Sequence, residues 1–161
     1  IMPESTAEWV AALGRVPSGL YILTARHHDD ETGMLASWVM QCSFEPPGVS
    51  VAVQPERRVY GWLTPGSTFA LNLLGEGQTA LLRHFAKGFD PGQPAFEGLL
   101  TERTADGSVI LSEALGHLVC RVESRHPAGD HDLIVATVTG GRLHQSEGKP
   151  MTHVRKNGLR Y

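Results

Sequence analysis

Few side chains in this sequence have a type and a spacing that suit catalysis or the binding of a charged ligand. His131 follows a Gly-Asp pair that favours a sharp turn, so we expect it at the mouth of a strand. His84 lies on a predicted helix, and Arg57-Arg58 follow a predicted strand, where a guanidinium pair can bind a phosphate. By residue type alone, simpler interpretations exist. His131 would be a turn histidine, His84 an exposed helix histidine, and Arg57-Arg58 a solvated pair.

The common signatures of other sites are absent from the sequence. There is no Gly-x-Gly-x-x-Gly after a strand, no phosphate loop ending in Gly-Lys-Ser/Thr and no Gly-x-Ser-x-Gly. The eight histidines form no His-x-His or His-x-x-x-His pair, so no structural metal is expected. Cys42 and Cys120 are too few for a disulfide scaffold and are expected to be buried thiols in a reducing cytoplasm.

Length and composition narrow the class of ligand. The chain has 161 residues, 19% of them charged, and a net charge of −3. A nucleic-acid or anionic-membrane binder is normally basic, and no apolar run is long enough for a membrane span, so a small-molecule site is favoured. We expect a single domain over 1–161, and the start at Ile1-Met2-Pro3 indicates a domain cut from a longer polypeptide.

The elements that must position these residues are mostly short strands. Helices are predicted over 5–14, with a capping box at Ser5–Glu8, over 56–63 and over 78–87, where Gly88 ends the helix. A polar hairpin loop is predicted over 27–33. Strands are predicted over 20–25, 34–44, 49–53, 69–74, 115–124 and 132–140. This pattern favours a closed antiparallel barrel over a doubly wound sheet.

The predicted strand over 34–44 is the most informative segment. Its alternation places Met34, Trp38, Met40 and other apolar residues on one face, and Ser37, Gln41 and Ser43 among those on the other. A solvated face more often carries Lys, Glu or Thr than small uncharged groups. The polar face is therefore expected to be covered by something that needs hydrogen bonds.

Taken in order, several segments resemble the flavin reductase-like, FMN-binding split-barrel family, and among its members most closely the flavoredoxin-like proteins and the C-terminal domain of diflavin flavodiiron proteins. The resemblance covers almost the whole chain. It rests on the segments 14–25, 34–44 with Pro46-Pro47-Gly48, 69–74, His84-Phe85, Gly129-Asp130-His131 and 155–161. It implies a mainly β fold, a six-stranded antiparallel Greek-key split barrel with short flanking helices, that forms a homodimer. It also implies FMN, or FAD in some members, reduced by NADH or NADPH.

The resemblance also assigns residues to the flavin site. Its cofactor-binding residues are Ala36, Ser37, Trp38, Gln41, Cys42, Ser43, Arg57, His84 and Phe85. His131 matches a histidine that stands near the flavin or nicotinamide, and Phe44 is implied to support the strand from the core. Cys42 and Met40 depart from the residues usual in the family, and Cys42 borders the flavin strand.

The function implied is that of an NAD(P)H:flavin oxidoreductase that passes electrons to free flavin, oxygen or a partner redox centre. Because the cofactor carries the hydride chemistry, the missing nucleophile and base motifs agree with this function. Two alternatives stay open on the same kind of barrel. One is a non-catalytic flavin-binding electron carrier, or a flavin or haem sensor. The other is a pyridoxamine-phosphate-oxidase-like enzyme, although such enzymes usually carry more basic residues.

Overall fold

The helices of the protein are short. The structure, a computed structural model, describes residues 8–161. Helix α1 spans Glu8–Gly14, a 3-10 helix spans Arg58–Trp62 and α2 spans Thr79–Ala86. The helices predicted over 56–63 and 78–87 are thus present, while the part of the first helix and its capping box before Glu8 lies outside the described residues. No helix within residues 8–161 is long and apolar enough to cross a membrane.

The rest of the ordered structure is β. The strands are β1 Ser18–Gly19, β2 Tyr21–His27, β3 Asp30–Ala36, β4 Val39–Phe44, β5 Pro47–Val53, β6 Thr68–Leu73, β7 Thr101–Arg103, β8 Val109–Leu111, β9 Gly116–Ala128, β10 His131–Leu143 and β11 Thr152–His153. Seven of them form one antiparallel sheet in the order β3-β2-β6-β9-β10-β5-β4. The pairs β1–β11 and β7–β8 form two small sheets beside it.

The two edge strands of the large sheet, β3 and β4, are consecutive in the sequence. Only Ser37 and Trp38 separate Ala36 from Val39, and three Cα steps span at most about 11 Å. In a flat sheet, six interstrand spacings would place the two edges about 29 Å apart. The sheet must therefore roll until its edges approach each other, which confirms the expected mainly β, antiparallel barrel with short flanking helices.

The prediction of one continuous strand over 34–44 is wrong. The chain leaves the sheet at Ser37-Trp38, so the large sheet has seven strands where six were expected. Before the break Ala36 is buried, whereas after it Met40 is 67% and Phe44 is 87% exposed. Phe44 therefore does not support the strand from the core. The apolar side chains Met40 and Phe44 of β4 face outward, because this edge strand lies beyond the core.

The hairpin turns are tighter than the sequence indicates. The loop predicted over 27–33 is a two-residue turn, His28-Asp29, and the residues after it continue the ladder in β3. Asp30 and Glu31 are polar residues typical of loops, but both form ion pairs with arginines from neighbouring segments, which stabilise them in a strand. The turn between β9 and β10 leaves His131 as the first residue of β10, as predicted.

The core has two parts. The barrel interior is filled by Leu23, Val51, Val53, Leu63, Phe69, Leu71, Val122 and Ile134, among others. A second cluster lies under α2 and contains Ile22, Leu74, Leu81, Phe85 and Leu111. Asn72 of β6 is fully buried between strands: its side-chain nitrogen donates to the Ile22 carbonyl at 3.0 Å, and its side-chain oxygen accepts from the Leu111 N–H at 2.9 Å. These bonds attach β8 to the large sheet.

The two cysteines lie in different surroundings, which corrects the expectation that both are buried. Cys120 lies in the barrel core, and burial raises the pKa of its thiol to about 12. Cys42 is exposed on the edge strand β4. A thiol that stays protonated and inaccessible is inert, whereas an exposed one is open to reagents. Cys42 is therefore the accessible thiol of this chain.

Candidate functional site

A cavity of about 320 Å³, hereafter the cleft, opens where the barrel edges approach each other. One wall is the end of β3 and the break that follows it, and the opposite wall is the face of α2 that carries Leu82, Phe85 and Ala86. The end of β5 and the C-terminal Tyr161 complete the lining. The break in the 34–44 segment thus creates the opening, because Ser37 and Trp38 lie outside the strand ladder.

Five of the residues assigned from the sequence line the cleft. They are Ala36, Ser37, Trp38, Arg57 and Phe85. Phe85 is 1% exposed and joins the cleft to the core under α2. The close packing of this wall depends on Gly33 of β3, since a Cβ at that position would lie 2.5 Å from the Phe85 ring.

The other assigned residues lie elsewhere in this chain. Gln41, Cys42 and Ser43 are on β4, outside the cleft lining. The His84 ring packs against Phe85 and Phe89, and its Nε2 lies 2.7 Å from the Ala95 carbonyl oxygen, so His84 faces the 88–98 loop. Their assignment to the flavin site stays a prediction.

A smaller cavity of about 200 Å³, hereafter the side cavity, adjoins the cleft and shares Met34, Arg57 and Gly88 with it. Lys87 and Thr32 are also part of its lining. The Thr32 side chain is 3% exposed, and its hydroxyl has no hydrogen-bond partner among residues 8–161. The side cavity therefore combines cationic side chains with a buried hydroxyl that lacks a partner.

The two adjacent arginines have different surroundings. Arg58 forms an ion pair with Asp30, and its guanidinium stacks over the Trp62 ring at 5.2 Å. Arg57 is exposed and lines both the cleft and the side cavity. Of the pair, only Arg57 lines the cleft, while Arg58 lines the side cavity alone and its ion pair holds the β2–β3 hairpin against the 3-10 helix.

His131 lies behind the cleft wall and is 6% exposed. Its Nδ1 is 2.7 Å from an Asp130 carboxylate oxygen, and its Nε2 is 2.7 Å from the Tyr161 hydroxyl. Its ring centroid is 4.7 Å from that of Trp38. Together with Arg155 and other residues of the C-terminal segment, these groups line a third cavity of about 270 Å³, hereafter the tail cavity.

The C-terminal segment is held in place by backbone and aromatic contacts. The Arg155 N–H donates to the Gly14 carbonyl at 2.7 Å, and the Gly158 N–H donates to the Val10 carbonyl at 2.9 Å. The Arg155 guanidinium lies 5.3 Å from the Trp38 ring centroid. The segment ends with Tyr161 in the wall of both the cleft and the tail cavity. Sequence reasoning missed Tyr161 as a site residue, although its segment was part of the family resemblance.

A metal site requires several ligand side chains close together. Residues 8–161 contain no group of three or more His, Cys, Asp or Glu side chains that could hold a metal ion. The His117–His144 pair, with Nδ1 and Nε2 2.7 Å apart, lies outside the cleft lining. The polar side chains that line the cleft and the side cavity, such as Arg57, Lys87 and Thr32, suit an organic anion better.

Comparison with known proteins agrees with this architecture. A family model described as a flavin reductase like domain matches residues 13–158. Diflavin flavoprotein A 1 of Synechocystis sp. is 44% identical over 151 residues, which is 93% of this chain and 26% of that protein. The putative diflavin flavoprotein A 3 of Nostoc sp. is 45% identical over 161 residues, which is 99% of this chain and 28% of that protein. The chain thus spans about a quarter of the length of these relatives.

Solved structures share the fold over most of their length. The NADH:FAD oxidoreductase of Streptomyces globisporus C-1027 has a TM-score of 0.84 at 24% identity, over 96% of this chain and 91% of that chain. A second structure of that protein, in complex with NAD and FAD fragments, has a TM-score of 0.81. The styrene monooxygenase flavin reductase of Pseudomonas putida S12 has a TM-score of 0.76 at 27% identity, over 92% and 93% of the two chains. With the family match over residues 13–158, these likenesses identify the chain as a member of the flavin reductase-like domain family.

Proposed function

We propose that this domain binds a flavin nucleotide in the cleft and catalyses its reduction by NADH or NADPH. The observation that carries the proposal is the buried Thr32 hydroxyl, which lacks a partner within the described part of the chain and lines the side cavity together with Arg57 and Lys87. Leaving a buried hydroxyl unpaired costs free energy, so a polar ligand group is expected there. A flavin nucleotide combines a flat ring system with a phosphate, and the cleft and side cavity offer one environment for each.

The cleft suits the ring system. Phe85, Leu82 and Ala36 supply apolar walls, and burial of apolar ring surface against such walls favours binding. Ser37 lies outside the strand ladder, so its hydroxyl and peptide groups can form hydrogen bonds with the polar edge of the ring. Trp38 closes the cleft on the side of His131. These residues bind and orient the ring and exclude water from one of its faces.

The side cavity suits the phosphate. Arg57 and Lys87 both line it, and a guanidinium can bind phosphate oxygens through two parallel hydrogen bonds. The Thr32 hydroxyl can donate a third. Glu56 and Asp90 also line the side cavity, so its charge is moderate, and the ligand is expected to bind reversibly.

The chemistry needs little from the side chains. A bound flavin supplies the hydride acceptor, so the protein contributes orientation and electrostatics and needs no nucleophile. FMN is the expected cofactor, with FAD as the alternative, and NADH or NADPH is the co-substrate. The solved complex of a structural neighbour with NAD and FAD fragments supports this pairing of ligands.

The electrons are proposed to pass to free flavin, to oxygen or to a partner redox centre. The partner is favoured because the similar diflavin flavoproteins are about four times longer than this chain, which leaves room in them for further domains. We place the domain in the cytoplasm, since an exposed free thiol such as Cys42 is typical of a reducing compartment.

A homodimer is proposed through the outer face of β4. Met40 and Phe44 are exposed there, and Trp38 is 37% exposed at the start of the strand. Edge strands with exposed apolar side chains favour pairing with a second chain. In such a dimer, β4 with its Gln41, Cys42 and Ser43 would belong to the strand at the interface.

An anaerobic titration of the full chain with FMN, FAD, NADH and NADPH tests the proposed function. We expect the gel-filtered protein to retain flavin and the visible flavin absorption to bleach when a nicotinamide nucleotide is added. Retention without bleaching would favour the electron carrier instead. Failure to bind either flavin would overturn the proposal.

A Thr32→Val variant tests the phosphate assignment. It removes a hydroxyl bonded to a charged group, worth about 1.5–3 kcal/mol, so flavin affinity should fall about 10- to 100-fold. The flavin-free protein should be at least as stable as wild type, because the substitution removes an unpartnered hydroxyl. Thr24→Val is the matched control: the Thr24 hydroxyl donates to the Val109 carbonyl at 2.7 Å, so its loss should reduce stability and leave the Kd for flavin unchanged.

A further inference from the structure

Asp130, His131 and Tyr161 form a continuous hydrogen-bonded chain, hereafter the relay. Two contacts of 2.7 Å join its members, from Asp130 to His131 Nδ1 and from His131 Nε2 to the Tyr161 hydroxyl. His131 is 6% exposed and is not part of the cleft lining, whereas Tyr161 is 67% exposed and lines both the cleft and the tail cavity. Two residues of the cleft lining contact His131: the Trp38 ring packs against it, and the Tyr161 hydroxyl is hydrogen-bonded to it, so a hydrogen-bonded path from His131 to a ligand runs through Tyr161.

We propose that Tyr161 is the residue that contacts the ligand bound in the cleft, and that the protonation of His131 decides whether its hydroxyl accepts or donates a hydrogen bond. Asp130 and His131 are then positioning residues that act through Tyr161. The proposal rests on the proposed flavin reductase function, and it replaces direct contact between His131 and the ligand by an indirect one.

The donors and acceptors of the three groups allow two hydrogen-bonding arrangements, one for neutral and one for protonated His131. An ionised Asp130 is an acceptor only, so His131 Nδ1 carries a proton and donates it to the carboxylate. When His131 is neutral, Nε2 is an acceptor, the Tyr161 O–H points at it, and the phenolic oxygen can only accept from a ligand. When His131 is protonated, Nε2 donates to the phenolic oxygen, and the Tyr161 O–H is released to donate to a ligand.

The charges around the relay keep the phenol itself out of the titration. Burial raises the pKa of Tyr161, Asp130 adds to the rise, and Arg57 and Arg155 oppose it, with a net upward shift. The phenol therefore stays protonated at neutral pH. Arg160 also lines the tail cavity, while the other side chains there, Gln54 among them, are uncharged. Of the three side-chain types in the relay, imidazole is the one that can gain a proton near neutral pH.

Protonation of His131 matches the charge that a flavin gains when it is reduced. A hydride carries two electrons and one proton, so the flavin ring that receives it gains one negative charge. Uptake of one solvent proton by His131 balances that charge and turns the Tyr161 hydroxyl into a donor. The relay thus favours the reduced state of the ligand when His131 is protonated, and this preference is lost as the pH rises and His131 becomes neutral.

The midpoint potential of the bound flavin, measured against pH, tests the relay in the full chain. In wild type we expect the potential to carry an extra pH-dependent step that Tyr161→Phe removes. The rate of flavin reduction at saturating NADH or NADPH should fall about 10- to 100-fold in Tyr161→Phe below this step, as for loss of a hydrogen bond to a charged group. Above the step, the two proteins should differ little.

Two further measurements make the test decisive. In the flavin-free protein, the NMR titration of the His131 ring should shift in Tyr161→Phe, since Nε2 loses its partner. Tyr60→Phe is the matched control, because the Tyr60 hydroxyl donates to Asp132 at 2.6 Å outside the cleft, and it should change neither curve. An unchanged potential curve in Tyr161→Phe, with normal flavin reduction in wild type, would overturn the relay alone. A wild-type chain that binds no flavin would overturn the proposed function and the relay with it.

Discussion

Strands β3 and β4 follow each other in the sequence, yet they meet opposite conditions in the fold. The end of β3 is packed against α2 and forms a wall of the cleft, with Ala36 at 7% exposure. The side chains of β4 are mostly exposed, and Phe44 reaches 87%. The end of β3 and the whole of β4 belong to the alternating segment 34–44, and the two strands lie at the two edges of one sheet.

The difference shows that the burial of an edge strand depends on whether another element packs over it. Helix α2 covers β3, and the second core cluster fills the space between them. The described residues include no element that covers the outer face of β4. A cleft forms at the covered edge, while the apolar side chains Met40 and Phe44 of the open edge stay exposed.

The largest effect is expected from removing one phenyl ring on each side. Phe85→Ala should destabilise the chain by about 3–5 kcal/mol, because a fully buried ring leaves a cavity. Phe44→Ala, the same change on the exposed strand, should alter the free energy of unfolding of a monomer by no more than about 0.5 kcal/mol. Urea unfolding at low protein concentration measures both. Equal losses in the two variants would contradict the distinction between the edges.

A smaller effect is expected from adding one methyl group on each side. Gly33→Ala forces the new Cβ to within 2.5 Å of the Phe85 ring, so overpacking should cost about 1–3 kcal/mol. Flavin affinity should fall as well, since Phe85 lines the cleft. At Gly48, opposite β4, the nearest atoms to a Cβ are 3.4 Å away, so Gly48→Ala should be close to neutral. Thermal unfolding with and without flavin separates the two variants, and a neutral Gly33→Ala would show that the wall yields.

The smallest change in structure comes from labelling the two thiols. Cys42 should react with an aromatic disulfide reagent in the native state, whereas Cys120, with its pKa raised to about 12 by burial, should react only on unfolding. In a dimer through β4, the labelling of Cys42 should slow as protein concentration rises, and its rate reports on the open edge. Native labelling of both thiols would show that the barrel opens readily.

Much of the fold follows from local sequence signals. Gly88, at a φ of +71, ends α2 where the sequence places the end, and the Gly-Asp turn delivers His131 to the first position of β10. Ala36, Ser37 and Trp38 were assigned to the site through a family resemblance, and they line the cleft. The helix end and the turn could be predicted because each depends on residues close in the chain, whereas the flavin-binding role of these three residues stays a prediction.

The missed features depend on residues far apart in the chain. The break at Ser37-Trp38 interrupts an unbroken alternation, so periodicity alone predicts one strand. The orientation of the His84 ring depends on its contact with the Ala95 carbonyl in the loop after α2, which the helix sequence does not reveal. Tyr161 reaches the cleft because the C-terminal segment packs against the end of α1. There the Arg15 guanidinium donates to the carbonyl of Arg155, which lies 140 residues further along the chain. No local pattern contains that information.

The amino-acid sequence by itself determined a mainly β barrel with short helices, several of its turns and the family to which the chain belongs. Those properties follow from side-chain periodicity, turn residues and ordered motifs, which act over a few residues. The tertiary structure alone decided which edge of the sheet became a cleft, which arginine of the pair lines it, and that His131 is hydrogen-bonded to Tyr161. These outcomes depend on how the rolled sheet brings β3, α2 and the C-terminal segment together, because packing and burial are properties of contacts between distant residues.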